Sequence, residues 1–424
     1  MNIHFKEEKM KKLFTLVAAL FLMFSLTACT TTKKDITITL AQGKPEIDAA
    51  LKAYAATYKE KTGVTVKIVS CGGDSCQLGT QLKSDYQAGQ MPDIFQIQGI
   101  EDYNEWKTLI ATLDGQNWIK DTDVAFKVDG KVVGFPVSIE GWGLAYNKDL
   151  LVKAGIDPAS LTNYDAYAAA FKKLDGMKAE LGIDSVVSMA AGSSMYWVTA
   201  DHNFNSLLSN GLKYGDLSVV TKLLAGTVDA TRLTEYANWV KLLFDYANQT
   251  VLLTGGYAEQ VGAFANQKSV FVHQGNWIDG DLAKANATFN IGIAPQGSSK
   301  TATDGIFVAA PSWYVINKES KNVKAAEAFL SAFVYTTEGN DYIVNKAGMI
   351  PAFKNITLTP TGQMSKAVQA WAKTGKIYSW NQYSFTSDFR STKLGPIYNQ
   401  LASKNITVEK FVQLVTEAFV ANKK

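Results

Sequence analysis

Between Ile36 and Gln98 the chain alternates strand-like and helix-like patterns, and this alternation restricts the available folds more than any other feature of the sequence. Ile36-Thr-Ile-Thr-Leu40 has the apolar–polar period of a half-buried strand. From Pro45 to Lys61, Ile47, Leu51, Tyr54 and Tyr58 recur at three- and four-residue spacings, which places them on one face of a helix. Val64 to Val69 reads as a second strand, Gln77 to Ala88 as a second helix, and Asp93-Ile-Phe-Gln-Ile-Gln98 as a third strand. Strands separated by helices pair in parallel through crossovers, so an α/β fold is predicted. In open sheets of this type ligands bind beyond the carboxyl ends of the strands. Gln42, the Cys71 loop and Gln98-Gly99 fall at such ends.

Downstream, Asp129-Gly130 between short β-like runs predicts a hairpin. Phe135-Pro136-Val137, Glu140-Gly-Trp142-Gly and Leu144-Ala-Tyr146-Asn147 follow. The pattern is then largely helical to about Tyr257, with Asn163 placed to cap a helix from Tyr164 and a further helix over 233–246. Strands return at 270–272, 290–293 and 313–316, then a helix over 322–334 and a mostly helical end. A β-rich start, a helical middle, a return to strands and a helical end imply two domains, each assembled from separate stretches of chain.

The N-terminus reads as an export signal. Met10-Lys11-Lys12 supplies a positive end and Leu13 to Phe24 an apolar run, too short for the ~20 residues that span a bilayer. Leu26-Thr27-Ala28-Cys29 closes it with the pattern cut by lipoprotein signal peptidase, whose product carries a lipid on Cys29. Residues 1–28 are thus expected to be removed and 29–34 to act as a tether, which places the rest outside the cytoplasmic membrane and attached to it. The whole chain carries +3; the leader holds four lysines and two glutamates, which leaves +1, no footprint for nucleic acid. Only two arginines, Arg232 and Arg390, stand against forty lysines. Arginine is the usual bidentate partner of phosphate and carboxylate, so an anionic ligand is disfavoured. Nine tryptophans and eighteen tyrosines can fill cores or offer flat apolar faces to sugar rings. Cys71-Gly-Gly-Asp-Ser-Cys76 is an exported pair with the spacing of a tight disulfide loop; free thiols and a metal site are the alternatives.

Several blocks together resemble the extracellular solute-binding proteins of family 1, the carbohydrate-binding subunits of ABC importers. These are Met91-Pro-Asp-Ile-Phe95; Asp129-Gly-Lys-Val-Val-Gly-Phe-Pro136 with Leu144-Ala-Tyr-Asn-Lys-Asp149 and Ala154-Gly-Ile-Asp157; Phe264-Ala-Asn-Gln-Lys-Ser269 with Gln274-Gly-Asn-Trp277; Ser312-Trp-Tyr-Val-Ile-Asn-Lys318; Ala325-Ala-Glu-Ala-Phe-Leu330; and Gly348-Met-Ile-Pro-Ala352. The resemblance implies a two-lobed periplasmic-binding-protein-like fold, each lobe a mostly parallel sheet flanked by helices and joined by hinge segments. Residues 35–142 and 279–333 would form the N-terminal lobe, and 143–278 with 334–424 the C-terminal lobe. It further implies a monomer that captures a neutral oligosaccharide between its lobes and passes it to importer membrane subunits, with an α-linked gluco- or galacto-oligosaccharide as the leaning. Cys71 and its loop, and Glu140-Gly-Trp142, depart from the commoner members.

The residues expected at the ligand are Gln42, Gln98, Glu140, Trp142, His202, Gln274, Trp277, Trp313 and Trp380. Tryptophans would stack on sugar faces. Amides both donate and accept, as hydroxyls do, and a carboxylate accepts from hydroxyls. His273 is expected to point away from Gln274 in an extended run and is left out. An extracellular glycoside hydrolase with paired carboxylates is one competing reading, and a binding protein for a polyol, glycerophosphodiester or peptide is another. The sequence lacks His-Glu-x-x-His, Gly-x-Ser-x-Gly and a phosphate loop, so no catalysis, cofactor or metal is expected. A Cys29→Ala chain should shift from the detergent phase to the aqueous phase on Triton X-114 partitioning; unchanged partitioning would remove Cys29 as the anchor.

Overall fold

Ile38 and Leu40, one face of the first strand, are fully buried, and the strand has a neighbour on each side in its sheet. The computed structural model describes residues 36–72 and 76–423, so the leader, Cys29 and the tether lie outside the described residues. Strands β1 (Thr37–Gln42), β2 (Thr65–Ser70) and β3 (Ile94–Ile97) are followed by the hairpin β4 (Phe126–Val128) and β5 (Lys131–Pro136). Asp129 and Gly130 both take positive φ at its turn, the geometry that matches the strand twist. Next come β6 (Glu140–Trp142), β7 (Leu144–Asn147), β8 (Ser185–Ser188), β9 (Ser269–Val272), β10 (Ile291–Ala294), β11 (Ile306–Ala309), β12 (Trp313–Ile316) and β13 (Ile377–Tyr378).

The first sheet runs β2-β1-β3-β12-β5-β4, with β1 parallel to β2 and β3, and β12 antiparallel to β3 and β5. The second runs β10-β7-β9-β8, in which β8 and β9 are parallel. Helix Asp48–Thr62 sets Leu51, Tyr54 and Tyr58 onto the first sheet beside Phe329 and Phe333 of helix Val323–Tyr335; the Tyr54 ring stacks 5.0 Å from Phe333 and 5.2 Å from Tyr342. Tyr167, Phe171 and Trp239 pack around Phe271 of β9 in the second core. Asn163 caps helix Tyr164–Gly176 by accepting from Ala166 N, as its position in the sequence predicted. The strand β8 interrupts the stretch read as helical; its apolar run is only Val186-Val187, too short to carry a period.

Pairing and packing move the expected lobe boundaries. β10 pairs with β7 in the second sheet, so 279–294 does not return to the first. Ile343, Val344, Met349 and Phe353 pack in the core of the first sheet, so the chain has not left it at 334. We place the changeovers at the third sheet, β13-β11-β6, and near residue 357. That sheet gathers three separate passes of the chain: β11 is antiparallel to β6 and parallel to β13.

The loop after β2 lies against the loop after β1: Cys71 N donates to Gln42 O at 2.8 Å, and a Cβ on Gly72 would fall 2.2 Å from Gly43 O. Cys71 and Cys76 are joined by a disulfide with a Cα–Cα distance of 5.0 Å. Closing so short a loop restricts the unfolded chain by about 2 kcal/mol. Replacing both cysteines by serine should lower unfolding free energy in urea by roughly that amount; an unchanged midpoint would show that the bond adds no stability.

Candidate functional site

The backbone of Glu140-Gly-Trp-Gly can cross between the sheets because its glycines leave room. A Cβ on Gly141 would sit 2.5 Å from the Val368 side chain, and one on Gly143 would sit 2.3 Å from Ala294 O. Trp142 lies opposite Phe307 in the β6–β11 register, and the two rings stack at 4.3 Å with an interplanar angle of 8°. Gly275 serves the later block in the same way: a Cβ there would collide with the Trp277 ring at 2.2 Å and with Gly141 O at 2.6 Å.

Around this stack the chain assembles an aromatic cluster. The His202 ring lies 4.8 Å from Trp277, 5.3 Å from Trp380, 5.6 Å from Trp197 and 6.1 Å from Trp142. Trp277 and Trp380 meet edge to face at 6.1 Å, and His273 lies 5.1 Å from Trp142. Trp142 is fully buried, so access to its face requires the surrounding segments to part. Among the described residues the indole nitrogens of Trp142, Trp197 and Trp380 have no hydrogen-bond partner, nor do His273 Nδ1 and Gln382 Nε2. Buried donors left unpaired carry a cost that a ligand oxygen would relieve. Trp277 is different: its Nε1 donates to Gln274 Oε1 at 2.7 Å, and Gln274 Nε2 donates to Gln260 Oε1. Gln274 therefore orients the indole.

Two charged groups brace the walls. Lys44 Nζ bonds Glu140 at 2.6 Å and Glu46 at 2.7 Å, and Ser138 Oγ donates to Glu140. Burial opposes the ammonium charge, but the Glu140 and Glu46 carboxylates outweigh it and raise the Lys44 pKa. On the other wall, Arg390 pairs with Asp201, both buried; its guanidinium lies 4.9 Å from the Tyr383 ring centroid and its Nε donates to Phe385 O. Asp201 and Arg390 belong to two π-helical turns, Trp197–Asn203 and Phe389–Leu394. Such turns are frequent at functional sites.

Of the expected residues, Trp142, His202, Trp277 and Trp380 come together, with Gln274 behind Trp277. Gln98 reaches the cluster's edge, where its Nε2 donates to Tyr383 OH at 3.2 Å. Glu140 lies beside it but is engaged with Lys44. Gln42 is a correction: fully buried, its amide bonds Ser70 Oγ, Lys44 O and Lys44 N, so it shapes the loop. Trp313 is a second: its Nε1 donates to Val124 O and its ring packs 4.8 Å from Phe126, in a separate apolar cluster. His273, left out because it was expected to point opposite to Gln274, lies against Trp142, and Asn203 Nδ2 meets its Nε2 at 3.0 Å. Trp197, Phe307 and Tyr383 were not singled out by sequence; Tyr196-Trp197 beside His202 was the available signal. Among the described residues no group of three His, Cys, Asp or Glu side chains is placed to hold a metal.

Flat rings, with indole N–H groups that have no partner among the described residues, suit the holding of a ligand between two α/β lobes. Residues 53–392 match the family of bacterial extracellular solute-binding proteins, and the chain belongs to that family. Among curated relatives, the melibiose/raffinose/stachyose-binding protein MelE of Bacillus subtilis is 23% identical over 347 residues, 76% of each chain. The maltodextrin-binding protein MdxE of the same organism is 25% identical over 402 residues, covering 85% of this chain and 90% of that one. Among solved structures, a sugar transporter of Bacillus licheniformis in complex with stachyose superposes with a TM-score of 0.74 at 18% identity, over 92% of this chain and 100% of that one.

Burial pushes His273 down to about 4, and burial, followed by His273, Lys44 and Arg390, pushes His202 well below its usual value. Both rings are neutral in the folded chain, whereas unfolded histidine takes a proton near ~6.5. Folding stability is therefore full above about pH 6.5 and declines as pH falls toward the folded value of His273. The melting temperature should drop across that window, and less so in His273→Gln; identical profiles for the two proteins would remove His273 as a contributor.

Proposed function

We propose that the chain captures a neutral oligosaccharide between its two lobes and delivers it to the membrane subunits of an ABC importer, held at the membrane by a lipid on Cys29. The observation that carries this reading is the convergence of Trp142, Trp197, Trp277 and Trp380 on His202, with three of the four indole N–H groups unpaired among the described residues. Indole faces cover the apolar C–H faces of pyranose rings, and indole and amide N–H groups donate to their hydroxyls. The two positive charges beside the cluster are already paired, Lys44 with Glu140 and Glu46 and Arg390 with Asp201, which suits an uncharged ligand. The relatives named for melibiose, raffinose, stachyose and maltodextrin point to α-linked oligosaccharides as cargo. A ligand that touches both lobes binds the closed form better than the open one, and that difference in affinity drives closure.

Calorimetric titration with raffinose, stachyose, maltotriose and maltotetraose tests the reading. Micromolar or tighter binding to one linkage series supports it; no heat from any neutral sugar, with the protein shown to be folded, would overturn it. Trp277→Ala should weaken binding by at least ~2 kcal/mol, about 30-fold, the scale of a buried aromatic contact. Unchanged affinity in a folded Trp277→Ala protein would remove this ring from the site.

A further inference from the structure

A second cavity, of about 190 Å³, opens in the second lobe; none of its lining residues belongs to the aromatic cluster. A single water needs only about 10–15 Å³. Its floor is Ser206, Asn210 and Ser298, all buried, and its rim includes Asp229, Thr231 and Glu235. We propose that this cavity is a second ligand site, for a small neutral polyhydroxy compound.

The floor carries the argument. Ser206 and Asn210 are 2% and 4% exposed, yet Ser206 Oγ and Asn210 Oδ1 have no partner among the described residues. Asn210 is held in place by its other atom: Nδ2 donates to Ser298 Oγ at 2.7 Å and to Gln296 O at 3.2 Å. Two buried polar atoms on a fixed floor are a cost unless something in the cavity bonds them.

The charges select the class. Arg232 lines the cavity with Nε committed to Leu207 O at 2.6 Å and Nη2 to Asn210 O at 2.9 Å. Asp229 and Glu235 flank it, so an anion would meet two carboxylates and an ammonium would meet the guanidinium. Hydroxyl groups donate to the carboxylates and to Asn210 Oδ1, and exchange either role with Ser206 and Thr231. No aromatic ring lines the cavity to stack on a sugar face, which favours a short polyol over an oligosaccharide. The same turn also faces the cluster: Asn205 Oδ1 accepts from Asn381 N and Gln382 N, and Ser209 Oγ accepts from Asn381 Nδ2, next to Trp380. One short stretch therefore has its 206/210 side on the cavity and its 205/209 side on the loop that carries Trp380.

Saturation-transfer NMR on the full chain in detergent, with erythritol and xylitol as probes, tests the site. Transfer is expected in the wild type and in Trp277→Ala. It should weaken at least tenfold in Thr231→Trp, which plugs the rim from an exposed position, and in Glu235→Ala, with melting curves confirming that both fold. No transfer to the wild type up to tens of millimolar would overturn the proposal. So would loss of transfer in Trp277→Ala with survival in the two rim variants, which would put the probe in the aromatic cluster. Transfer to ethanolamine or to methyl phosphate in place of the polyols would overturn the assigned class.

Discussion

The stack of Trp142 on Phe307 is the contact on which the rest of the site depends. Both rings sit on strands that cross between the two main sheets, and β6 and β11 are hydrogen-bonded there. The segments that join the lobes thus also carry the deepest aromatic wall. A ring pair this close fixes the strands' spacing, and Gly141 and Gly143 are the condition for it, because no side chain fits where they pass. Around this pair the π-helical turn Trp197–Asn203 brings Trp197 and His202, and the short helical turn Asn276–Ile278 brings Trp277.

Charge does its work at the edges. Lys44 reaches from the loop after β1 to Glu140 at the start of β6, so one ammonium ties the first sheet to the crossing sheet. Asp201–Arg390 ties two helical turns of the second lobe beneath His202 and Tyr383. Removing one partner from a buried pair leaves the other charge without compensation, typically at a cost of about 3–5 kcal/mol. These pairs therefore resist displacement, and the exposed pairs on the helices, such as Lys241–Asp245, add little by comparison.

The succession of three strands and two helices that opens the first lobe, and their parallel pairing, were legible in the sequence because Ile36 to Gln98 keeps clean periods. Trp142 and Trp277 were legible as large rings near glycine in the blocks at the expected crossings, and His202 as a polar ring near a tryptophan, whereas nothing local marked Trp380 apart from its being a tryptophan. Trp313 looked the same in sequence, but strand alternation turns it to the other side of the sheet, and only the register with Ile97 and Pro136 reveals which side. Gln42 stands at a strand end as the rule for open sheets requires, yet the loop folds back and consumes its amide. Phe307, Tyr383 and His273 act through contacts with residues more than a hundred positions away in most cases, which no local pattern reports. The lobe boundaries were misread for the same reason: β10 looks like any short strand until its partner is known.

The two π-helical turns carry a further consequence. Each winds with one residue more per hydrogen-bonded ring than an α-helix, so the residues beyond it are displaced by roughly 100° from the α-helical phase. His202 lies inside one such turn and Arg390 inside the other. Chain length here is therefore a steering variable: losing a single residue ahead of His202 would turn the imidazole by about 100° around the helix axis, away from its place among the tryptophans. A change of one residue in count could redirect this wall of the cluster while leaving every side chain's identity intact.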